Sequence, residues 1–224
     1  MCIRDSIIFG VNDDQIADDD RILSAASCTT NAIVPVLKAM HDQYGVLSGH
    51  LETVHAYTND QNLTDNFHHK ARRGRSAPLN LVITETGAAT AVAKALPELE
   101  GRLTGNAIRV PTPNVSLAIL NLELARPADR ATVNAHLRAL SVDSALSDQI
   151  DYTSSEEIVS SDLVGSNRAG VIDSKATIVN ASRCVLYVWY DNEAGYSYQV
   201  IRMVQQLAGL RYPSVPVLSA SLSS

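Results

Sequence analysis

One cysteine and one histidine are the side chains of this sequence best suited to covalent chemistry. Cys28 stands in the run SCTTN, and Ile33 and Leu37 after it recur at helical spacing. A thiol in the first turn of a helix faces unpaired backbone N–H groups and the positive end of the helix dipole, which favour the thiolate. His55 ends a strand-like run, where its imidazole can serve that sulfur as general base and acid. A buried, inert cysteine beside a structural histidine uses the same residue types, so the pair alone leaves both interpretations open.

The elements that must position this pair alternate early in the chain and cluster late. Hydrophobic periodicity predicts strands at 7–11, 22–25, 49–55, 106–110, 115–125, 170–173, 175–180 and 184–190, and helices at 28–44, 88–95, 129–140 and 196–210. Residues 57–79 form a long polar stretch with neither period, and loops of that length are usually functional or disordered. This order predicts an α+β fold, with a mixed, largely antiparallel sheet and helices on one face.

Composition excludes several classes of protein. A net charge of −6 over 224 residues argues against general nucleic-acid binding, so the basic cluster at 70–75 is better interpreted as a small anion site. Cys2, Cys28 and Cys184 are widely spaced and form no CxxC motif, which indicates neither a disulfide framework nor a zinc site. A reactive thiol fits a reducing cytoplasm. We see no apolar run of roughly 20 residues and no signal peptide.

Further motifs follow SCTTN in a fixed order. They are HAYTNDQ at 55–61, RRGRSA at 72–77, TGAA at 86–89, RVPTPNV at 109–115 and WYDNE at 189–193. Together they resemble the catalytic half of the phosphorylating glyceraldehyde-3-phosphate dehydrogenases, over about residues 7–210. Any one motif is weakly specific, but all of them in this order and spacing are highly specific.

The resemblance implies an activity and a set of site residues. The reaction would convert glyceraldehyde 3-phosphate, phosphate and NAD to 1,3-bisphosphoglycerate and NADH, in glycolysis and gluconeogenesis, with Cys28 as nucleophile and His55 as base. The substrate phosphate would be held by Thr58, Asp60, Arg73 and Arg109. Inorganic phosphate would be held by Ser27, Thr29, Thr86 and Gly87, and the nicotinamide by Asn192 and Tyr196. The implied assembly is a cytoplasmic homotetramer without nucleic-acid or membrane partners.

Several of these assignments have rivals within the sequence. Arg72 and Arg75 compete with Arg73 for the phosphate, and Arg109, in an apolar strand, has the alternative of a buried ion pair. Asn192 has the alternative of an ordinary turn residue. Two positions near the expected nicotinamide pocket depart from the family: residue 25 is alanine where asparagine is usual, and residue 194 is alanine where a large aromatic is usual.

The domain organisation follows from what the sequence lacks. No GxGxxG phosphate loop occurs, so the resemblance predicts a truncated enzyme. Its parts would be a foreign start with a remnant of the NAD-binding domain (1–27), the catalytic domain (28–193), a helix that packs on the absent domain (194–211) and a disordered tail (212–224). NADP remains an alternative to NAD, because no ribose-reading residue is identified. The fragment itself is expected to be inactive.

Three alternatives to this function remain open. Erythrose-4-phosphate dehydrogenase shares the cysteine, the histidine and the arginine sites. A thiol hydrolase would use the same Cys28 and His55 to transfer acyl groups to water. A non-catalytic interaction remnant is the third alternative.

Overall fold

The computed structural model describes residues 3–4 and 6–210. Its strands are β1 (Ile3–Arg4), β2 (Ile22–Leu23), β3 (Val46–Ala56), β4 (Val82–Glu85), β5 (Leu103–Val110), β6 (Ser116–Ala128), β7 (Ile150–Thr153), β8 (Gly170–Asp173) and β9 (Ile178–Tyr190). Its α-helices are α1 (Cys28–Tyr44), α2 (Ala88–Ala95), α3 (Arg130–Val142) and α4 (Ala194–Leu207). The expected tail and residues 1, 2 and 5 of the expected foreign start lie outside the described residues.

A seven-stranded mixed sheet forms the framework. Its strand order is β4-β5-β3-β6-β9-β8-β7, and only the β3–β5 and β7–β8 pairs are parallel. The parallel β3–β5 pair places His55 directly beside Arg109. The short strands β1 and β2 pair separately and in parallel. The predicted α+β class, with a largely antiparallel mixed sheet, is confirmed.

Helix α1 is the central element of the core. The Ser27 hydroxyl accepts a hydrogen bond from the Thr30 N–H at 3.1 Å and caps its N-terminus. Gly45, with a φ of +70°, ends it as the sequence predicts. Most of its side chains are buried, because α2, α3 and the sheet pack around it. Cys28 is therefore held by an element with little freedom to move.

The two faces of the sheet differ in composition. Along β6, Ala118, Leu120 and Leu122 are buried against the helices, whereas the alternate residues, such as Ile119 and Asn121, are only partly buried or exposed. This period of two is what a sheet covered by helices on one face requires. Within the described residues, no helix is long and apolar enough to cross a bilayer.

Several sequence-based elements differ from the structure. The strand predicted at 7–11 is not formed: residues 9–12 are a turn, in which Asn12 Oδ1 accepts from the Ile8 N–H at 2.7 Å. The strands predicted at 175–180 and 184–190 are one strand, β9, in which Ala181 adopts a φ of +53° without ending the pairing. Strands β4 and β7 were not predicted, since each contributes only four residues at an edge of the sheet. Helix α4 begins before the predicted 196, because the Asp191 carboxylate accepts from the N–H groups of Glu193 and Ala194.

Candidate active site

The candidate nucleophile and base lie at the ends of two packed elements. Cys28 is the first residue of α1, and His55 is the penultimate residue of β3. Cys28 Sγ lies 3.9 Å from His55 Nε2. The pair predicted from the sequence is therefore assembled in the described structure without a ligand.

The tautomer of His55 follows from its backbone contact. His55 Nδ1 lies 2.7 Å from the Ala56 carbonyl oxygen, so we assign the proton to Nδ1. Nε2 then carries the lone pair that faces Cys28 Sγ. Arg109 Nη1 also lies 2.7 Å from Nδ1, but it donates to the Ala56 carbonyl at 3.1 Å and the Thr58 hydroxyl at 3.4 Å. With its proton on Nδ1 and its lone pair on Nε2, His55 has the orientation that a general base towards the Cys28 thiol requires.

Burial sets the resting charge of both groups, and this differs from the sequence expectation. Burial raises the pKa of the Cys28 thiol, while hydrogen bonds with Thr29 and the charge of Arg109 oppose the rise. Burial, together with the charge of Arg109, lowers the pKa of His55 to about 4. At neutral pH the ligand-free pair is therefore a thiol and a neutral imidazole. Burial therefore opposes the preference for the thiolate that the start of the helix provides.

Arg109 is half-buried in the pocket, and its described hydrogen bonds go to a carbonyl and a hydroxyl rather than to a carboxylate. Its Nε is buried without a hydrogen-bond partner. Burial, followed by the charge of Arg73, lowers the pKa of Arg109. These contacts differ from the rival interpretation of a buried ion pair, and they leave a cation available to an anionic ligand.

Arg73 is the basic-cluster residue that enters the pocket. Its Nη1 pairs with the Asp60 carboxylate, and its Nε donates to the Thr84 hydroxyl at 2.9 Å. Arg75, the rival, is exposed and pairs with Asp65 at 3.2 Å. Arg72 is also exposed. The structure therefore orients Arg73, and neither rival, towards the cysteine.

A cavity of about 660 Å³ connects the predicted site residues. Those that line it are Ser27, Cys28, Thr29, His55, Thr58, Arg73, Thr86, Gly87, Arg109 and Asn192. Asp60 contributes through Arg73. Tyr196 lies outside this lining, packed against the small cluster formed by Ile7, Ala25 and Met203.

The hydroxyls predicted to hold inorganic phosphate already have partners. Ser27 Oγ lies 2.7 Å from Thr30 Oγ1, and Thr29 Oγ1 lies 2.8 Å from the Tyr190 hydroxyl. Gly87 is the N-cap residue of α2, and a Cβ there would meet no atom within 4 Å. The N-terminus of α2 therefore presents open space to the cavity.

Asn192 joins the pair from the turn after β9. Its Nδ2 lies 3.0 Å from His55 Nε2 and 4.0 Å from Cys28 Sγ. The sequence analysis missed two buried residues around it, Ser116 and Tyr190. Ser116 bonds to Asn192 Oδ1 at 2.8 Å, and the Tyr190 ring packs edge-on against the His55 ring. Ser116 follows the motif at 109–115 and Tyr190 lies within the motif at 189–193, which was the available signal.

Comparison with known proteins identifies the family. A family model described as "Glyceraldehyde 3-phosphate dehydrogenase, C-terminal domain" matches residues 27–192. A glyceraldehyde-3-phosphate dehydrogenase-like protein of Pseudomonas aeruginosa is 64% identical over 94% of this chain and 46% of the relative. The glyceraldehyde-3-phosphate dehydrogenase of Mycobacterium leprae is 43% identical over 89% of this chain and 58% of the relative. The glyceraldehyde-3-phosphate dehydrogenase of Geobacillus stearothermophilus is also 43% identical, over 91% of this chain and 61% of the relative.

This chain thus spans about half the length of the curated relatives it matches. The matched residues include the cysteine at the start of α1, the histidine on β3 and the asparagine after β9. The chain belongs to the glyceraldehyde 3-phosphate dehydrogenase family and carries its C-terminal domain.

Proposed function

We propose that this chain supplies the thiol half of an NAD-dependent oxidoreductase that converts glyceraldehyde 3-phosphate and phosphate to 1,3-bisphosphoglycerate, in the cytoplasm and within glycolysis or gluconeogenesis. The observation that carries the proposal is the 3.9 Å approach of Cys28 Sγ to His55 Nε2 in a cavity that also contains Arg73 and Arg109. A half-buried nucleophile and a buried base beside two cations suit an anionic carbonyl substrate.

The proposed chemistry starts from the neutral resting pair. As Cys28 Sγ bonds to the aldehyde carbon, the thiol proton passes through His55 Nε2 to the carbonyl oxygen and a thiohemiacetal forms. The backbone N–H of Cys28, at the start of α1, stabilises the negative charge that develops on that oxygen. His55 Nε2 then removes the hydroxyl proton as the adduct is oxidised. Attack by phosphate on the resulting thioester releases the acyl phosphate and restores the thiol.

The nicotinamide end of NAD fits this site in one respect. The Asn192 amide lines the cavity beside Cys28 and can bond to a carboxamide. NAD, when bound, supplies the hydride acceptor for the thiohemiacetal. The sequence contains no Gly-rich loop for the pyrophosphate, so we propose that these 224 residues alone are inactive. NADP remains an alternative to NAD.

Two anion subsites are proposed within the cavity. Thr58, Arg73 and Arg109 would hold the substrate phosphate, with Asp60 fixing Arg73. Ser27, Thr29, Thr86 and Gly87 would hold inorganic phosphate. The open space at the N-terminus of α2 supports the second subsite, because the dipole of a helix favours an anion at that end.

We also propose that the complete enzyme is a homotetramer. Large apolar side chains in and after the long polar stretch are exposed in the single chain: Leu63, Phe67, Leu79, Leu81 and Ile83. An exposed apolar set of this kind marks an association surface. A second copy of the chain is the partner that the family resemblance implies.

The experiment that tests the proposal replaces Arg109 by Ala in the complete enzyme. For a phosphorylated aldehyde, kcat/KM should fall by an amount that corresponds to about 2–5 kcal/mol of lost transition-state stabilisation. This is the usual cost of removing one partner of a buried charge pair. Unphosphorylated glyceraldehyde should change little. Arg138→Ala, which removes an exposed arginine of α3, is the matched control and should leave both substrates unaffected.

Equal losses on both aldehydes would assign Arg109 a structural role instead. If the unmodified enzyme turned over erythrose 4-phosphate faster than glyceraldehyde 3-phosphate, the proposed substrate would be erythrose 4-phosphate instead. Hydrolysis of acyl esters without any NAD-dependent oxidation would favour the thiol hydrolase.

A further inference from the structure

A buried serine connects the strand that carries His55 to the turn that carries Asn192. Ser116, the first residue of β6, is 1% exposed and lies on the helix-facing side, where Ala118 and Leu120 follow it. A hydroxyl among aliphatic side chains costs free energy unless it is hydrogen-bonded. The preceding residue, Val115, has a φ of +63°, which is unfavourable for a β-branched residue. A strained turn therefore delivers a polar group into the core.

Two bonds of that hydroxyl lead to the candidate catalytic pair, and a third joins it to the Tyr190 side chain. The Ala56 N–H donates to Ser116 Oγ at 3.0 Å, and Ser116 Oγ donates to Asn192 Oδ1 at 2.8 Å. With its oxygen anchored by Ala56, the serine has its single proton available for Asn192. Asn192 Nδ2 is consequently turned towards His55 Nε2, at 3.0 Å, and Cys28 Sγ, at 4.0 Å.

An asparagine amide has nearly the same shape at its two ends but opposite polarity. Which end faces a neighbour is decided by hydrogen bonding. We propose that Ser116 is a positioning residue, which fixes the Asn192 amide so that its N–H groups, and not its carbonyl, face Cys28 and His55. This inference rests on the proposed function, in which the Cys28 sulfur is the nucleophile.

The consequence concerns negative charge on the sulfur. An N–H group directed at Sγ stabilises the thiolate, whereas a carbonyl oxygen in the same place would destabilise it. The other charged and titratable groups around Cys28 are His55, Arg109 and Tyr190, together with Tyr57, Arg73, Glu85 and Glu193 of the cavity lining. Removing the Ser116 hydroxyl leaves these side chains in place, but it removes the hydrogen bond between Ser116 and Tyr190 as well as the one to the amide.

The test measures iodoacetamide labelling of Cys28 between about pH 6 and pH 10, with the labelled residue identified by mass spectrometry, on the 224-residue chain. Ser116→Ala should raise the apparent pKa of labelling by about half a unit to one unit, the worth of one ordinary hydrogen bond. Ser174→Ala is the matched control. Ser174 is also buried, and its hydroxyl bonds to the Thr153 carbonyl at 2.7 Å, away from the cavity lining.

A double-mutant cycle separates positioning from general destabilisation. Asn192→Ala should itself raise the apparent pKa, and Ser116→Ala should add no further shift in that background. Urea unfolding of each variant shows whether it is folded. If Ser116→Ala does not fold, the variants Ser116→Thr and Ser116→Val are compared instead. Their side chains have nearly equal shape, and only the threonine carries a hydroxyl. The threonine variant should then keep the lower pKa.

The outcomes distinguish this inference from the proposed function. Labelling at Cys28 with no shift in Ser116→Ala, or with the same shift in Ser174→Ala, overturns the positioning role and leaves the nucleophile intact. A full shift that persists in the Asn192→Ala background also overturns it. A Cys28 that labels no faster than Cys184 overturns both.

Discussion

Burial opposes charge on both members of the candidate catalytic pair. His55 is buried and Cys28 is half-buried before any substrate arrives. Charging either group alone in that environment costs several kcal/mol, and a separation of 3.9 Å between Sγ and Nε2 leaves the thiol proton only partly engaged. A neutral pair that transfers its proton during attack is the state these contacts support.

Labelling rates test which thiol is the nucleophile. Cys28 should react with iodoacetamide faster than Cys184, because burial without a compensating partner raises the pKa of Cys184 to about 12. His55→Asn should slow labelling of Cys28 near pH 7, since the variant lacks the lone pair that accepts the thiol proton. Peptide mass spectrometry after timed labelling gives both rates. Faster labelling of Cys184 in the folded chain would refute the assignment.

The stability of the chain should depend on the protonation of His55. Its pKa is lowered from 6.5 to about 4 in the folded state, so the unfolded chain binds the proton more tightly. The resulting contribution of His55 to the free energy of unfolding is fully present above pH 6.5. It is lost as the pH falls towards 4, with a total of about 3 kcal/mol. Urea unfolding of the wild type and His55→Gln at several pH values measures it. The variant should lose less stability across that window, and parallel curves would contradict the prediction.

Residue types and their order were sufficient to predict the candidate nucleophile, its base and a cation of the cavity. Cys28, His55 and Arg109 lie in short motifs, and each lines the cavity. The contacts that Ser116 and Tyr190 make in the site could not be predicted, because these bonds join positions that are far apart in the sequence. A serine in an otherwise aliphatic strand has no sequence period that distinguishes it from a surface hydroxyl.

At the scale of elements, strand pairing determines the composition of the site. The parallel register of β3 and β5 puts His55 beside Arg109, although the strands are separated in sequence by the long loop, β4 and α2. Periodicity predicts both strands, but it does not say which of them pair or in which register. Periodicity could not show that His55 and Arg109 belong to one site, and the resemblance of the motifs implied it.

The packing of α1 on the sheet gives an element-scale prediction. A Cβ added at Gly170, the first residue of β8, would lie 2.8 Å from Val188 Cγ1 and 2.9 Å from the Ala32 carbonyl oxygen. Gly170→Ala should therefore lower the free energy of unfolding by about 1–3 kcal/mol, as overpacking does. Gly87→Ala makes the same change where a Cβ meets nothing within 4 Å, and should cost less than about 1 kcal/mol. Equal urea midpoints for Gly170→Ala and Gly87→Ala would contradict this prediction and would show that α1 shifts to accommodate the added methyl group.

At the scale of the whole molecule, helix α4 has one covered and one uncovered side. Gly195, Gln199 and Met203 are buried against the body of the chain, while Val204 and Leu207 are more than half exposed. Met203 packs with Ile7 and Ala25, so part of the helix predicted to pack on a further domain is already covered within this chain. The remaining apolar face is the surface that we expect to associate with further polypeptide.

The 224-residue chain should bind NAD only weakly and should not oxidise glyceraldehyde 3-phosphate. Asn192 contacts the site at the nicotinamide end, but the sequence provides no Gly-rich loop to hold the pyrophosphate. Hydride transfer requires reacting atoms held about 3–3.5 Å apart, which one amide contact does not achieve. Labelling of Cys28 should persist, because alkylation needs no dinucleotide.

Calorimetric titration of the purified chain with NAD, alongside an assay with glyceraldehyde 3-phosphate and phosphate, measures both properties. A polypeptide of the length of the curated relatives is the positive control, and the Cys28→Ser form of that longer polypeptide should lose most turnover, because a hydroxyl is a far weaker nucleophile than a thiolate. Micromolar NAD binding with turnover by the 224 residues alone would refute the prediction. It would require a dinucleotide site within the described cavity, where the Arg73 and Arg109 side chains are the cations available to a pyrophosphate.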